Sequence, residues 1–180
     1  MMNLQSGTIL APEFYKKPVL AVAPELLGKF LVRQTGQTAI SAMITEVEAY
    51  DGPEDLACHA SKGRTARTET MFGEGGHWYV YLVYGMHEML NIVTGEAGYP
   101  AAVLIRGLEG INGPGRLTKR FGIGREFNGL PAAIDAGLYI EDRGMTIDPA
   151  RIKTSPRIGV DYAGPIWSGK PYRFYLEDSV

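Results

Sequence analysis

Short apolar runs interrupted by glycine, proline or polar pairs set the pattern of this chain, and many of them alternate with the period of a strand. Residues 30–34 (FLVRQ) and 38–50 (TAISAMITEVEAY) flank the turn signal Thr35-Gly36-Gln37 and read as a hairpin. Residues 77–83 (HWYVYLV) are aromatic and β-branched, follow the turn FGEGG, and lead through Tyr84-Gly85-Met86-His87 into a second run at 88–94, which predicts a second hairpin with Tyr84 at its tip. A third run, 101–107, continues the sheet, and 137–142, 155–160 and 171–176 read as short closing strands. Three segments read as helical. Pro24 opens 24–30, because a missing N–H is harmless at a first helical position; a short turn spans 54–60; and 113–123 is a glycine-opened helix with Arg116, Lys119 and Arg120 at helical spacing. Strands in runs with few helices imply an α+β fold.

Composition narrows this further. With 180 residues, 45% of them hydrophobic, the chain suits one domain over 1–180 with one sizeable core. A single cysteine, Cys58, excludes an intrachain disulfide and points to an intracellular protein. The start MMNLQSGTILAPEFYKK lacks the basic-then-apolar layout of a secretory leader, and no stretch approaches the roughly 20 apolar residues of a membrane span. The expectation is a cytoplasmic monomer. A net charge of −2 argues mildly against a nucleic-acid binder, but residues 1–61 hold four basic and seven acidic side chains whereas 62–129 hold eight and six, which leaves room for a local basic patch.

Candidate chemistry begins in ITEVEAY (44–50). With a period of two, Glu46, Glu48 and Tyr50 share one strand face, so a carboxylate and an aromatic ring project together; the alternative is an edge strand with two solvated glutamates. His59 could stack, bind phosphate or transfer protons, and could equally be structural. A zinc site from Cys58, Glu54 and His77 has no recognised ligand spacing, so no metal is expected. Trp78 faces away from Tyr79 and Tyr81, which offers either a stacking platform or a core cluster with its hydroxyls in solvent. Tyr84, on a tip, is a candidate wedge into stacked bases. Lys62, Arg64, Arg67, Arg116, Lys119 and Arg120 are candidates for phosphate contacts or simply a solvated face. Arg106 ends the apolar run AAVLI and calls for a carboxylate partner, for which Glu48 is a candidate.

The ordered combination EAYDGPEDLACH and YVYLVYGMH, together with AAVLIRGLEG, GPGRLTKRFGI, the opening PELLGKFLVR and the ending RIGVDYAG and PYRFYL, resembles the alkyladenine (3-methyladenine) DNA glycosylase family in its bacterial form. The resemblance runs from about Leu20 to Leu176. It implies a curved, mostly antiparallel sheet with short helices and a protruding β-hairpin, no cofactor, and duplex DNA carrying damaged purines as partner. By position, Glu48 matches the general base and Arg106 the arginine that helps hold the attacking water. Tyr50 and His59 match the stack on one face of a flipped base and Tyr81 the ring on the other. Tyr84 matches the intercalating tyrosine, and Asn91 the residue that screens the purine 2-position. No lysine lies in the matched pocket segments, so a monofunctional enzyme is expected rather than one that forms a Schiff base. Two rivals are a non-catalytic nucleic-acid-binding module in which the aromatic strand stacks bases and Glu48 is incidental, and a carbohydrate glycosidase using Glu46 and Glu48; side chains two apart on one strand bracket a sugar poorly.

Overall fold

Gly36 and Gln37 alone connect the first two long strands. Thr35 pairs with Thr38 across the turn, and Gly36 takes a φ of +60°, a left-handed backbone that glycine adopts without a Cβ penalty. The computed structural model describes residues 7–177; residues 1–6, part of the stretch read for a leader, and 178–180 lie outside the described residues. In chain order the elements are β1 (Thr8–Ile9), α1 (Pro12–Tyr15), α2 (Val19–Leu26), β2 (Phe30–Thr35), β3 (Thr38–Asp51), β4 (Trp78–Val83), β5 (His87–Val93), β6 (Ala101–Leu108), β7 (Ile111–Asn112), α3 (Pro114–Phe121), β8 (Leu138–Asp142), β9 (Ile152–Ser155), α4 (Gly164–Ser168) and β10 (Arg173–Leu176).

The fold is α+β. Ten strands form one open sheet in the order β1-β8-β2-β3-β6-β5-β4, with β10 joining β3 to β9 and β7 extending β6. Every pairing is antiparallel. β3 is long enough to change neighbours along its length: its first half pairs with β2, and its second half lies between β6 and β10. Where β6 joins β3 the register slips, Glu46 facing Gly107 and Val47 facing Ile105, so Arg106 is the extra residue of a bulge. Bulges re-aim side chains, and this one sits beside the carboxylates of β3.

The strand alternation sorts side chains into two layers. Leu31, Ile44, Trp78, Leu90, Ile92, Ile105 and Leu138 join α2 and α3 in the main core, where the Trp78 indole N–H donates to the Leu138 carbonyl at 3.0 Å. Tyr79, Val93 and Ala102 turn the other way and pack with Cys58, Ala60 and Met71, with Tyr50 and Tyr81 against them.

Three expected elements are corrected. α2 starts at Val19, not Pro24: the Pro18 carbonyl accepts from Ala21 and Val22 at 2.9 and 3.1 Å, and Pro24 falls in the last turns instead of opening the helix. The short helical turn expected over 54–60 sits later, as a 3-10 turn at His59–Lys62, because the Asp55 carboxylate takes the N–H groups of Asp51 and Ala57 and bends the residues before it into a loop. The strand read at 155–160 is β9, four residues long and ending at Ser155. Pro156, with no N–H to give, stops the ladder, and a turn at Ile158-Gly159 leads away. The helix at 113–123 is found as α3, stopped by Gly122 in the left-handed region. No helix among the described residues is long and apolar enough to cross a membrane.

Candidate active site

The second half of β3 lies inside the sheet, so its alternation puts Glu48 where water does not reach. Its side chain is 0% exposed, which rules out the solvated-edge reading. A buried carboxylate needs partners. Tyr50, two residues on, donates its hydroxyl to Oε2 at 2.8 Å, the Ile158 backbone N–H donates to Oε1 at 2.7 Å, and Arg106 Nε lies 3.6 Å from Oε1. Burial pushes the Glu48 carboxyl above the ordinary glutamate range; Arg106, the Ile158 amide and the Tyr50 hydroxyl pull it back, and Glu46 adds a smaller upward push. Burial, and then Glu48 itself, drive the Tyr50 phenol well up, so it stays a donor.

Arg106 does reach a carboxylate, but its hydrogen bond goes to Glu46 Oε1 at 3.1 Å, with Glu48 in the longer ion pair. Glu46 is shared. Arg173, on β10, donates to the same Oε1 at 2.6 Å and reaches Ser155 Oγ at 3.2 Å.

Beside this group opens a cleft of about 310 Å³ of empty space, including its mouth, lined by Tyr50, His59, Tyr79, Tyr81, Asn91 and Tyr162 with Ala57, Met71 and Ala102. Four of the sequence candidates therefore meet in one place. His59 Nδ1 lies 3.1 Å from the Tyr79 hydroxyl, and its ring meets Tyr81 edge-to-face with centroids 4.5 Å apart. Burial first, then Arg67 and Lys62, lower the imidazole to about 4, so His59 is uncharged near neutrality. A planar ring stacked on both faces needs two van der Waals contacts, roughly 7 Å in all; His59 and Tyr81 as they stand leave no such slot between them. Asn91 is buried and spends its amide N–H groups on the Tyr79 and Met89 carbonyls at 3.1 and 3.3 Å while also lining the cleft. Cys58 lies just under this lining, 2% exposed, its thiol pushed up to about 12, mainly by burial.

Tyr84 is not in the cleft. It caps the β4–β5 hairpin at 91% exposure and is the one non-glycine residue with positive φ (+51°) among the described residues. A bulky residue held there is strained by about 1–3 kcal/mol. Lys62, Arg64 and Arg67 lie exposed on the loop after His59, and Arg116, Lys119 and Arg120 on the exposed side of α3. Arg64 is paired with Glu69 (Nη2–Oε1 2.6 Å), and the Arg67 guanidinium lies 5.4 Å from the Tyr81 ring centroid. Among the described residues no three His, Cys, Asp or Glu side chains gather as a metal site.

Sequence reasoning missed Tyr162, whose hydroxyl donates to the Ala57 carbonyl at 2.9 Å across the cleft wall, and also Arg157, the Ile158 amide and Arg173. All lie in the C-terminal segment: Arg157 and Ile158 in the run read as a strand at 155–160, Tyr162 just beyond it and Arg173 on β10, and nothing in runs this short points to their partners on β3 or in the Asp55 loop.

Comparison with known proteins finds relatives along most of the chain. A family model described as methylpurine-DNA glycosylase matches residues 13–112 and 109–180. A protein from Methanocella arvoryzae is 46% identical over 191 aligned positions, covering 95% of this chain and 94% of its own length. Relatives from Myxococcus xanthus (45% identical, 94% and 91% covered) and Legionella pneumophila strain Corby (44%, 92% and 93%) are as close, and all three are provisionally named 3-methyladenine DNA glycosylase.

Proposed function

The chain belongs to the methylpurine-DNA glycosylase family, hydrolases of the N-glycosyl bond, and from that premise we propose that it draws damaged purines out of duplex DNA into the aromatic cleft and removes them with an activated water. The observation that carries this reading is Glu48: a fully buried carboxylate, hydrogen-bonded on both oxygens, flanked by an arginine and opening beside a cleft of stacked rings. Each carboxylate oxygen has two lone pairs, so after Tyr50 and Ile158 there is still room to accept a hydrogen bond from water.

In the proposed reaction the water oxygen bonds to the sugar C1′ while the C1′–N bond breaks. Its proton passes to Glu48, and the bond electrons leave with the base. For a purine methylated at N3 or N7 those electrons neutralise the ring's positive charge, so the leaving base needs no proton. The negative charge of Glu48 also stabilises the cationic sugar in the transition state. An uncharged His59 suits this substrate, because an imidazolium would repel a cationic ring that Tyr50 and Tyr81 attract by roughly 1–2 kcal/mol. Entry of the base requires His59 and Tyr81 to part from their edge-to-face contact. Asn91 is assigned to exclude the guanine 2-amine by bulk, Tyr84 to fill the vacated stack, and Lys62, Arg64, Arg67, Arg116 and Lys119 to meet phosphates.

The rival sugar hydrolase is disfavoured by Glu46: it shares a strand face with Glu48, and its Oε1 is held by two guanidinium groups. Replacing Glu48 with Gln keeps the shape and removes the base, so single-turnover release of 3-methyladenine from methylated duplex DNA should fall at least about 10²-fold while DNA binding persists. Near-normal release would end the assignment, and binding without any excision by the parent protein would favour the module.

A further inference from the structure

We propose that Arg157 is a positioning residue for the reaction: its buried pairing with Asp55 holds the next peptide so that the Ile158 N–H points at Glu48 Oε1 and keeps that carboxylate in its base form. The inference rests on the reading of Glu48 as the general base.

Arg157 and Asp55 both have side chains with 0% exposure. Their contact is a two-pronged fork, Nη1 to Oδ2 at 2.5 Å and Nη2 to Oδ1 at 2.8 Å. The guanidinium has two further acceptors, the Ala49 carbonyl at 2.9 Å and the Trp167 carbonyl at 3.2 Å, and it lies over the Tyr50 ring at 4.8 Å. One group thus ties together β3 beside Glu48, the loop that carries His59, and the C-terminal segment around α4. A buried ion pair is a poor source of stability, since desolvation offsets most of its attraction, and Arg157 Nε is left buried without a partner. Its geometric effect is specific. With Arg157 fixed at four acceptors, the peptide that follows cannot shift, and its N–H lies 2.7 Å from Glu48 Oε1 across 110 residues of sequence.

The groups around Glu48 are Glu46 and Tyr50 on β3, Arg106 on β6, Arg173 opposite it on β10, Arg157 itself, and the phenols of Tyr81 and Tyr162. Of the neutral donors, the Ile158 amide is the one delivered from outside β3. Hydrogen bonding to the charged form lowers a carboxyl's pKa, so losing this amide raises it.

The test is the pH profile of single-turnover 3-methyladenine release from methylated duplex DNA. The lesion carries a fixed positive charge, so leaving-group protonation does not shape the acid limb. Arg157→Lys keeps the charge but cannot form the planar fork. Ile158→Pro removes the donor itself. Ile158 is 49% exposed and precedes Gly159 (φ +74°) in a turn where proline is well tolerated. In both variants the acid limb should move to higher pH by about one unit, with rates at high pH within a few-fold of the parent. Combining the two should add no further shift, because Arg157 acts through that amide. A purely structural role would instead lower the rate by the same factor at every pH, and folded variants with an unmoved acid limb overturn the proposal. If Arg157→Lys does not fold, Ile158→Pro alone decides. Glu48→Gln, run alongside, separates the two ways of failing: if it excises like the parent, the base assignment falls and this inference with it, whereas an inactive Glu48→Gln with unshifted variants overturns the positioning role only.

Discussion

Tyr84 is the residue whose backbone and exposure disagree with its chemistry. A large aromatic at 91% exposure gains nothing from burial, and its φ of +51° costs it conformational energy. Asparagine tolerates that region far better, so Tyr84→Asn should leave the melting temperature unchanged or raise it, by up to about 1 kcal/mol of stability. In the proposed role the same change removes the wedge, and excision of paired lesions should fall at least about tenfold and more than excision of mismatched ones, read by single-turnover kinetics on the two duplexes. Equal loss on both, with a lowered melting temperature, would make Tyr84 a structural residue. Among the candidates that gather at the site, Glu48, Tyr50 and Tyr81 were legible because each lies on a strand whose alternation gives its direction, and Arg106 because a charge ending an apolar run needs a partner, whereas Asn91 came from the family resemblance alone. Arg106 was read with Glu48 as its candidate partner, whereas the register on either side of the bulge sets it beside Glu46, and its hydrogen bond goes there. Arg157 and Tyr162 were invisible because their partners lie some hundred residues away, Asp55 at 102 and Ala57 at 105.

At the scale of elements, the hairpins were readable and the short helices were not. β2, β3, β4 and β6 are runs of six or more residues rich in apolar, aromatic or β-branched side chains and bounded by turn residues, enough to read as strands. α1 and α4, of four and five residues, are too short to show one, and α2 was displaced because Pro24 advertises a helix start that Pro18 in fact supplies. The exit from β3 is the most demanding junction. Gly52 takes φ +80°, and a Cβ there would come within 2.4 Å of the Tyr99 hydroxyl, which is itself bonded to Asp51. Gly52→Ala should therefore destabilise the protein by about 1–3 kcal/mol, seen as a lower denaturation midpoint. Because the Asp55 loop starts here, activity should suffer as well. A midpoint equal to the parent's would show that Tyr99 swings away freely and that the junction is softer than its geometry implies.

For the whole molecule, one sheet serves two purposes, its main core on one side and the aromatic cleft among the side chains that turn the other way. The α+β class followed from the sequence because strand runs outnumber helices; the strand order did not, since β8 and β10 return from far along the chain to pair with β2 and β3. The net charge of −2 was a poor guide, since the family acts on DNA although acids outnumber bases along the chain, and a sum says nothing about where charge surfaces. Cys58 gives the arrangement a last consequence. The electrophiles that methylate purines also methylate thiolates, so a protein working amid such damage is itself a target. Sealed under the cleft and kept protonated by burial, the single sulfhydryl is a poor nucleophile at physiological pH. The folded protein should resist iodoacetamide for hours and take up one equivalent promptly in denaturant, as mass spectrometry would show; rapid labelling of the native form would mean that this lining opens often. Resistance would mean that the poison which creates the substrate spares this side chain of the enzyme that removes it.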